Sequence, residues 1–182
     1  MLKIDRRILK SQEAIKKAVV ELMLEQDFDS ITIQGIADRA NVSRKTIYLH
    51  YTDKFDLLDK LIAEHIDALE EMCHSETEGV SIEGSVSWFK YFERHYLFFS
   101  ALLASKGASF FRSRFLEFVT EDIRKGWEMS EAKIRGIPED IVLQFIAPAY
   151  VGIVEWWFTK GMPYPPEAME EKVGMLLESN LM

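Results

Sequence analysis

Apolar side chains recur along this chain at the three- and four-residue spacing of amphipathic helices. In residues 6–26 they fall on one side of a helix, and most of the charged side chains fall on the other. Residues 53–74 repeat the pattern behind Thr52 and Asp53, and Asp56 completes a motif that resembles a capping box. Such periodicity predicts an all-α protein of about nine helices.

Beyond residue 75 the periodicity stops and then returns with many aromatic side chains. The segment 76–84 contains glycines and acids without a helical pattern, which is typical of a connection. Gly161 and Pro163 would end the longest apolar helix after it. Helices are predicted at 85–95, 96–106, 109–135 and 139–160, and a last one begins at Pro165-Pro166.

Residues 32–40 and 43–50 have the pattern of two short helices that cross at a tight turn. Ala37 is small where the two helices would approach most closely. Asn41 stands where the turn usually requires a left-handed residue, which asparagine tolerates better than most side chains do. Ser43 is a good N-cap for the second helix, because its hydroxyl can accept an unpaired backbone N–H. The pattern indicates a helix-turn-helix.

Two ordinary amphipathic helices of an all-α domain would also fit this segment, since short helix pairs are common. The chemistry of the second helix favours a role in DNA binding. Its polar side can face outward, and a helix of this size fits the DNA major groove. Donors suited to phosphate oxygens continue beyond it at Tyr48, His50, Tyr51 and Lys54.

These residues strongly resemble the TetR/AcrR family of bacterial transcriptional repressors. The resemblance covers residues 6–62. The sequence departs from the family at Lys45, where many members carry glycine. The resemblance implies a recognition helix beginning at Ser43, a basic end of the first helix near DNA, and an effector pocket among the C-terminal helices. The matching residues are Ser43-Arg44-Lys45-Thr46-Ile47-Tyr48, His50-Tyr51, Asp53-Lys54 and Leu57-Leu58.

DNA contact is therefore predicted for ten residues in and around the turn. Thr32 would cap its helix and leave the helix N-terminus free for a phosphate. Gln34 would either contact the DNA backbone or simply be exposed. The predicted set is Thr32, Gln34, Ser43, Arg44, Lys45, Thr46, Tyr48, His50, Tyr51 and Lys54.

Charge divides the 182 residues into two unlike parts. The net charge is −8, and residues 1–60 hold 11 Lys and Arg against 10 Asp and Glu. The remaining 11 basic and 20 acidic residues give the rest of the chain a net charge of −9. This asymmetry fits a DNA-binding domain at 1–52 followed by an effector-binding and dimerisation domain at 53–182. DNA affinity is expected to depend on local cations rather than on a strong overall field.

The composition favours a cytoplasmic protein. A lone cysteine, Cys73, excludes an internal disulfide framework, and the first ten residues lack the apolar core of a signal peptide. The apolar run 142–158 is short for a membrane span and carries polar residues, so a buried helix is expected there rather than a membrane segment.

Enzymatic chemistry is not indicated. The chain has no glycine-rich phosphate loop and no nucleophile elbow, so we expect neither a cofactor nor catalysis. His65, Cys73 and His74 do not have a recognised metal-ligand spacing, so no metal site is predicted.

Aromatic side chains of the C-terminal part have two interpretations. Each one alone is more simply explained as core, but a helix with rings on several sides is either fully buried or bordered by a cavity. Glu155 would be exposed, paired across a dimer, or a polar anchor for a ligand. The predicted pocket residues are Trp88, Phe92, Tyr96, Phe111, Phe115, Phe118, Trp127, Tyr150 and Glu155.

The last two helices are more apolar than one small domain requires. They would either close the core of the monomer or pair with a second copy in a four-helix interface. The pairing would set two recognition helices about 34–36 Å apart on a palindromic operator. The predicted interface residues are Ala149, Gly152, Trp156, Met169, Val173, Leu176 and Leu177.

The resulting prediction is a homodimeric transcriptional regulator, most simply a repressor, that a small and partly apolar effector releases from double-stranded DNA. The alternative is a ligand-independent DNA-binding or interaction module whose acidic C-terminal domain docks onto a protein partner.

Overall fold

A computed structural model describes residues 6–77, 88–105, 108–129 and 137–181, with side chains at 6–72, 88–105, 108–125 and 137–177. These residues form nine α-helices and a short 3₁₀ turn, Phe28–Ser30, which confirms the predicted all-α class. The helices are α1 (Arg6–Glu25), α2 (Ile33–Ala40), α3 (Arg44–Tyr48), α4 (Lys54–Thr77), α5 (Trp88–Arg94), α6 (Tyr96–Ala104), α7 (Ala108–Met129), α8 (Glu139–Thr159) and α9 (Pro166–Leu181).

The first three helices form a small unit around one apolar core. α1 packs on α2, and α2 packs on α3. Ile15, Ile36 and Ile47 supply one fully buried side chain from each helix. Phe28 fills this core from the 3₁₀ turn between α1 and α2.

Two aspartates at the start of α4 accept backbone N–H groups, Asp53 from the first turn of the helix and Asp56 from the residue before Asp53. Asp53 Oδ1 accepts from the N–H groups of Phe55 and Asp56, at 2.8 and 2.9 Å. Asp56 Oδ2 in turn accepts the Thr52 N–H at 2.8 Å. The pair works as the predicted capping box, except that the returning bond reaches Thr52 and not the capping residue itself.

In the first turn of α4, the residue that faces the core is not the one that the helical spacing predicts. The helical spacing of residues 53–74 places Phe55 with the apolar residues of α4, but Phe55 is mostly exposed and lies edge-on to the Phe28 ring at 5.6 Å. Leu57 is buried in its place. The cause is tertiary, because the core of the first unit lies to the Leu57 side of the helix.

The C-terminal helices form a second unit in which α7 packs on α8, α5 packs on α9, and α6 contacts both α7 and α8. α4 joins this unit through α7, and α1 joins it through α6. α4 also contacts α5 and α6, because the His65 ring lies against Tyr91 and Phe98. The N-terminal unit is therefore tied to the C-terminal unit through both α1 and α4, and these contacts can transmit a displacement from one unit to the other.

The connection from α8 to α9 closes as predicted. Gly161 has a φ of +69°, a left-handed conformation that suits the residue after a helix. The Trp157 indole N–H donates to the Tyr164 carbonyl at 2.8 Å and holds the following loop against α8. α9 then begins at Pro166, the position that favours proline because no backbone N–H is needed there.

α8 is the one described helix that is long and apolar enough to cross a membrane by length and composition. In the fold, 44% of its most apolar window is buried against other helices. Val142, Ile146 and Trp157 occupy the inner side of α8, while Ile141 and Phe145 are exposed on the outer side. α8 therefore has two apolar sides. One packs against other helices of this chain, and the other is exposed.

Candidate nucleic-acid interface

The turn between α2 and α3 is held by three short-range features. Thr32 Oγ1 accepts the Gly35 N–H at 3.0 Å, at the start of α2. Asn41 ends that helix in the left-handed region, at φ 53° and ψ 46°. Ser43 Oγ accepts the Thr46 N–H at 3.1 Å, at the start of α3. The predicted helix-turn-helix is confirmed, and the second helix, Arg44–Tyr48, is shorter than expected.

α3 has a buried side and an outward side. Ile47 is fully buried in the same cluster as Ile36. Arg44 and Lys45 are exposed, and half of Tyr48 is exposed. The Arg44 guanidinium lies 6.0 Å from the centre of the Tyr48 ring, so the two side chains share the outward side. This face can present both hydrogen-bond donors and an aromatic surface to a groove.

Leu49 is a candidate that the sequence analysis missed. It follows α3 directly and is 70% exposed, the highest value among the large apolar side chains described. The exposure of Leu49 could have been predicted from the sequence, because in a helix residues 48 and 49 face outward when Ile47 points inward. An exposed leucine beside cations is suited to contact with a thymine methyl group.

Tyr51 and Lys54 have structural roles that the sequence analysis did not foresee. Tyr51 is 5% exposed and belongs to the core, so its ring is not available as a surface. The Lys54 ammonium donates to the carbonyls of Phe28, Asp29 and Ile31, at 2.9, 2.7 and 2.9 Å. Three backbone acceptors therefore take up the donors that were assigned to phosphate.

Gln34 and Arg39 on α2 also have partners within the domain. Gln34 Nε2 donates to Asp38 Oδ1 at 2.7 Å. Arg39 makes two hydrogen bonds to the Glu25 carboxylate, at 2.6 and 2.9 Å, and this pairing lowers the pKa of Glu25. Arg39 thus braces α2 against the end of α1. The remaining predicted residues, Thr46 and His50, are partly exposed next to α3, and their contact with DNA stays a prediction.

Most of the predicted pocket residues pack against one another in the C-terminal core. Phe111 and Phe115 stack at 5.3 Å, and Phe92 lies edge-on to Phe115 at 5.7 Å. These three rings are fully buried. Trp88 and Tyr150 are partly buried and lie edge-on at 5.5 Å. Phe118 continues this cluster on α7, at 5.2 Å from Trp88.

Two other predicted pocket residues, Tyr96 and Glu155, have partners outside those ring pairs. Tyr96 is partly exposed and stacks on Phe158 at 6.1 Å. Glu155 forms an ion pair with Arg112 of α7 at 3.0 Å, which gives this carboxylate a partner within its own chain. The side chain of Trp127 lies outside the described residues, as do those of Cys73 and His74.

The predicted interface residues differ in burial. Met169 and Val173 are each 5% exposed and belong to the core of the monomer, because α9 turns them toward α5. This corrects their assignment, since a buried side chain offers no surface to a second copy. The residues that remain exposed are Ala149, Trp156 and Leu176. Gly152 and Leu177 are partly buried, and Leu177 packs against the core of the monomer.

Two histidines lie where the two units meet. His65 of α4 bonds through Nδ1 to the Tyr91 hydroxyl at 2.7 Å and stacks on Phe98 at 4.1 Å. The His95 ring lies 4.9 Å from it. Burial, with a smaller contribution from His95, lowers the pKa of His65 to about 3. Burial also raises the pKa of Tyr91 to about 12. Burial where the two units meet therefore favours the neutral forms of His65 and Tyr91.

An outward second helix on a capped helix-turn-helix, joined to a separate helical unit, defines a DNA-binding regulatory protein. Comparison with known families agrees. Residues 15–61 match the model described as "Bacterial regulatory proteins, tetR family", and residues 81–179 match "Transcriptional regulator C-terminal region" of the same family. The chain belongs to the TetR family of transcriptional regulators.

Individual relatives support the same assignment. The HTH-type transcriptional regulator YxbF of Bacillus subtilis (strain 168) is 42% identical over 71 residues, which are 36% of this chain and 19% of that protein. A TetR transcriptional regulator from Streptococcus agalactiae 2603V superposes with a TM-score of 0.72 at 26% identity, over 94% of this chain and 96% of its own. FadR of Bacillus subtilis in complex with stearoyl-CoA shares the fold, with a TM-score of 0.57 at 19% identity over 93% and 99% of the two chains.

Proposed function

We propose that this protein is a cytoplasmic, homodimeric repressor that binds a palindromic operator through α3 and is released by a small, partly apolar effector. The outward side of α3, with Arg44 over Tyr48, is the observation that carries the proposal. The cations and the ring face away from the core, so groove contact requires no unfolding.

Dimerisation is supported by an apolar stripe along the outer side of α8. Ile141, Phe145, Ala149 and Trp156 recur at spacings of four, four and seven residues and are all exposed. Four such residues on one side of one helix form more apolar surface than scattered exposed residues do. A second copy related by a two-fold axis would cover the stripe with an identical one.

Two glycines support the same proposal. A Cβ added at Gly152 of α8 or at Gly174 of α9 would meet no described atom within 4 Å. The fold of the described chain therefore does not require small residues at these positions. Close approach of another helix does favour small residues, and Gly152 lies between Ala149 and Trp156 on the outer side of α8.

Release by an effector is supported by the position of the aromatic cluster. It lies between α5, α7 and α8, and α7 contacts α4, the helix that begins next to the DNA-facing residues. An effector that separated these rings would displace α7 and, through it, α4. Such a ligand acts only if it binds the displaced state better than the DNA-binding state. The stearoyl-CoA complex of FadR is an example of a large apolar ligand on this fold.

One observation favours the second candidate, a ligand-independent module that docks a protein partner. Phe92, Phe111 and Phe115 are at most 1% exposed, so their rings already fill the predicted pocket. A thermal-shift screen separates the two candidates. Stabilisation by an apolar compound that also weakens DNA binding supports the effector, whereas no response to any apolar class supports the docking module.

The direct test of the DNA-binding face uses two matched double variants. Arg44→Ala/Tyr48→Ala removes the Arg–ring pair of α3. The control, Arg124→Ala/Phe110→Ala, removes one guanidinium and one exposed ring from α7, and this guanidinium pairs with Glu121 and Glu139 rather than with α4. A duplex is first selected from a random pool with the unmodified protein. We expect the α3 variant to lose at least about 100-fold in affinity, since each good bidentate contact to a base contributes roughly 1–3 kcal/mol and a dimer would lose two copies of the pair. The α7 variant should bind normally. Equal binding by a folded α3 variant would remove the claim.

A further inference from the structure

The hydrogen bonds of the Lys54 ammonium all go to backbone carbonyls between α1 and α2. An ammonium has three N–H donors, and Lys54 Nζ has three carbonyl acceptors within 2.9 Å, on Phe28, Asp29 and Ile31. The rings of Phe28 and Phe55 lie 5.1 and 5.3 Å from Nζ and flank the charge. The donors point toward the loop between α1 and α2, where the acceptors are.

These acceptors lie at the entrance to the helix-turn-helix. Phe28 and Asp29 belong to the 3₁₀ turn, and Ile31 precedes Thr32, the N-cap of α2. Lys54 is the first residue of α4. Its side chain therefore joins the start of α4 to the start of α2, over a separation of more than twenty residues in the chain.

Two further bonds join α4 to the other end of the helix-turn-helix. Lys60 Nζ donates to the His50 carbonyl at 3.0 Å, just beyond α3. Asp56 Oδ2 accepts the Thr52 N–H at 2.8 Å, and this bond lowers the pKa of Asp56. The first two turns of α4 thus hold both the entry to α2 and the exit from α3.

We infer that Lys54 is a positioning residue, which fixes α2 and α3 to α4 as one body, and not a ligand of DNA phosphate. The inference rests on the proposed function, because it describes how α3 is held while it binds DNA. A phosphate could attract this ammonium only by breaking three hydrogen bonds of 2.9 Å or less to backbone carbonyls.

Arginine distinguishes positioning from phosphate binding at this position. A guanidinium keeps the positive charge and binds phosphate at least as well as an ammonium does. Its donors are fixed in a planar fork, so they cannot converge on three carbonyls from one atom. Lys54→Arg therefore preserves a phosphate contact and breaks the clamp, whereas Lys54→Met removes both.

The first test measures affinity for the selected duplex as a function of salt in Lys54→Arg, Lys54→Met and the control Lys45→Met. We expect both Lys54 variants to bind at least about tenfold more weakly with an unchanged salt slope, while Lys45→Met lowers the slope by about 0.9 for each subunit. Wild-type affinity in Lys54→Arg, or a lower slope in Lys54→Met, would overturn the inference. An unmodified protein that binds no duplex would instead overturn the proposed function.

The second test uses the unmodified protein, so it does not depend on the folding of a variant. Lysine acylation is followed by mass spectrometry with and without the duplex. Lys54 should react slowly in both samples, because its donors are occupied, whereas Lys45 should be protected only when DNA is present. A Lys54 that reacts freely without DNA and becomes protected with it is a phosphate ligand, and the inference is then wrong.

Discussion

The N-terminal unit, α1 to α3 with the start of α4, and the C-terminal unit, α5 to α9, are stabilised differently. In the first, the decisive contacts are directional bonds to the backbone, from Thr32, Ser43 and Lys54. In the second, they are ring-to-ring contacts, such as those of Phe92, Phe115 and Trp157. Directional bonds hold a surface in one geometry, which a DNA-reading helix requires. Ring contacts supply buried area and close packing, so they stabilise the interior of that unit rather than the orientation of one surface helix.

The largest effect is expected at the outer side of α8, and it contrasts one exposed apolar residue from each unit. Phe145 is 63% exposed, and a two-fold interface would contain two copies of it. Phe145→Asp should lose roughly 3–6 kcal/mol of association, more than about a hundredfold in Kd. Leu49→Asp in the other unit should leave self-association unchanged. Sedimentation velocity over a concentration series measures both, and a Phe145→Asp chain that associates normally would place the interface elsewhere.

A comparison within α7 measures how much the ring cluster stabilises the C-terminal unit. Phe111 is 1% exposed and its neighbour Phe110 is 43% exposed. Phe111→Ala should cost about 3–5 kcal/mol of unfolding free energy, because it leaves a cavity among stacked rings. Phe110→Ala should cost less than about 1 kcal/mol. Urea denaturation measures the unfolding free energy of both variants. Similar urea midpoints would contradict the prediction and would mean that the rings of Phe92 and Phe115 move to fill the cavity left by Phe111.

A smaller effect is expected at the joint between the two units, where pH is the variable. Folding lowers the pKa of His65 from 6.5 to about 3, so the folded state binds fewer protons than the unfolded state between these values. The free energy of unfolding is therefore unaffected by the titration of His65 above pH 6.5, and it falls as the pH drops toward 3. By pH 5 it should be smaller by roughly 2 kcal/mol. Burial also lowers the pKa of His95, so its contribution has the same sign.

Two variants test this pH dependence. His65→Phe keeps a buried ring without a titrating group, so its urea midpoint should fall less than that of the unmodified protein between pH 7.5 and 5. Tyr91→Phe removes the 2.7 Å bond to His65 but leaves the burial, which is the main cause of the lowered pKa. It should therefore retain the acid sensitivity. Identical acid profiles for His65→Phe and the unmodified protein would rule His65 out as the cause.

Short-range patterns were sufficient for the helix-turn-helix. The N-caps at Thr32 and Ser43, the left-handed Asn41 and the capping aspartates of α4 are each visible from residues within four positions of one another. The helix order followed from periodicity for the same reason. Local hydrogen bonds and helical spacing do not depend on what else the chain contacts.

Contacts between distant segments decided the rest. The Lys54 acceptors lie more than twenty residues away, and no local pattern marks them as partners of an ammonium. Likewise, periodicity placed Met169 and Val173 on an apolar stripe, but only packing against α5 put that stripe inside the monomer and left Phe145 outside. A helical pattern states which residues share a side, whereas the neighbour that covers that side is chosen by the whole fold.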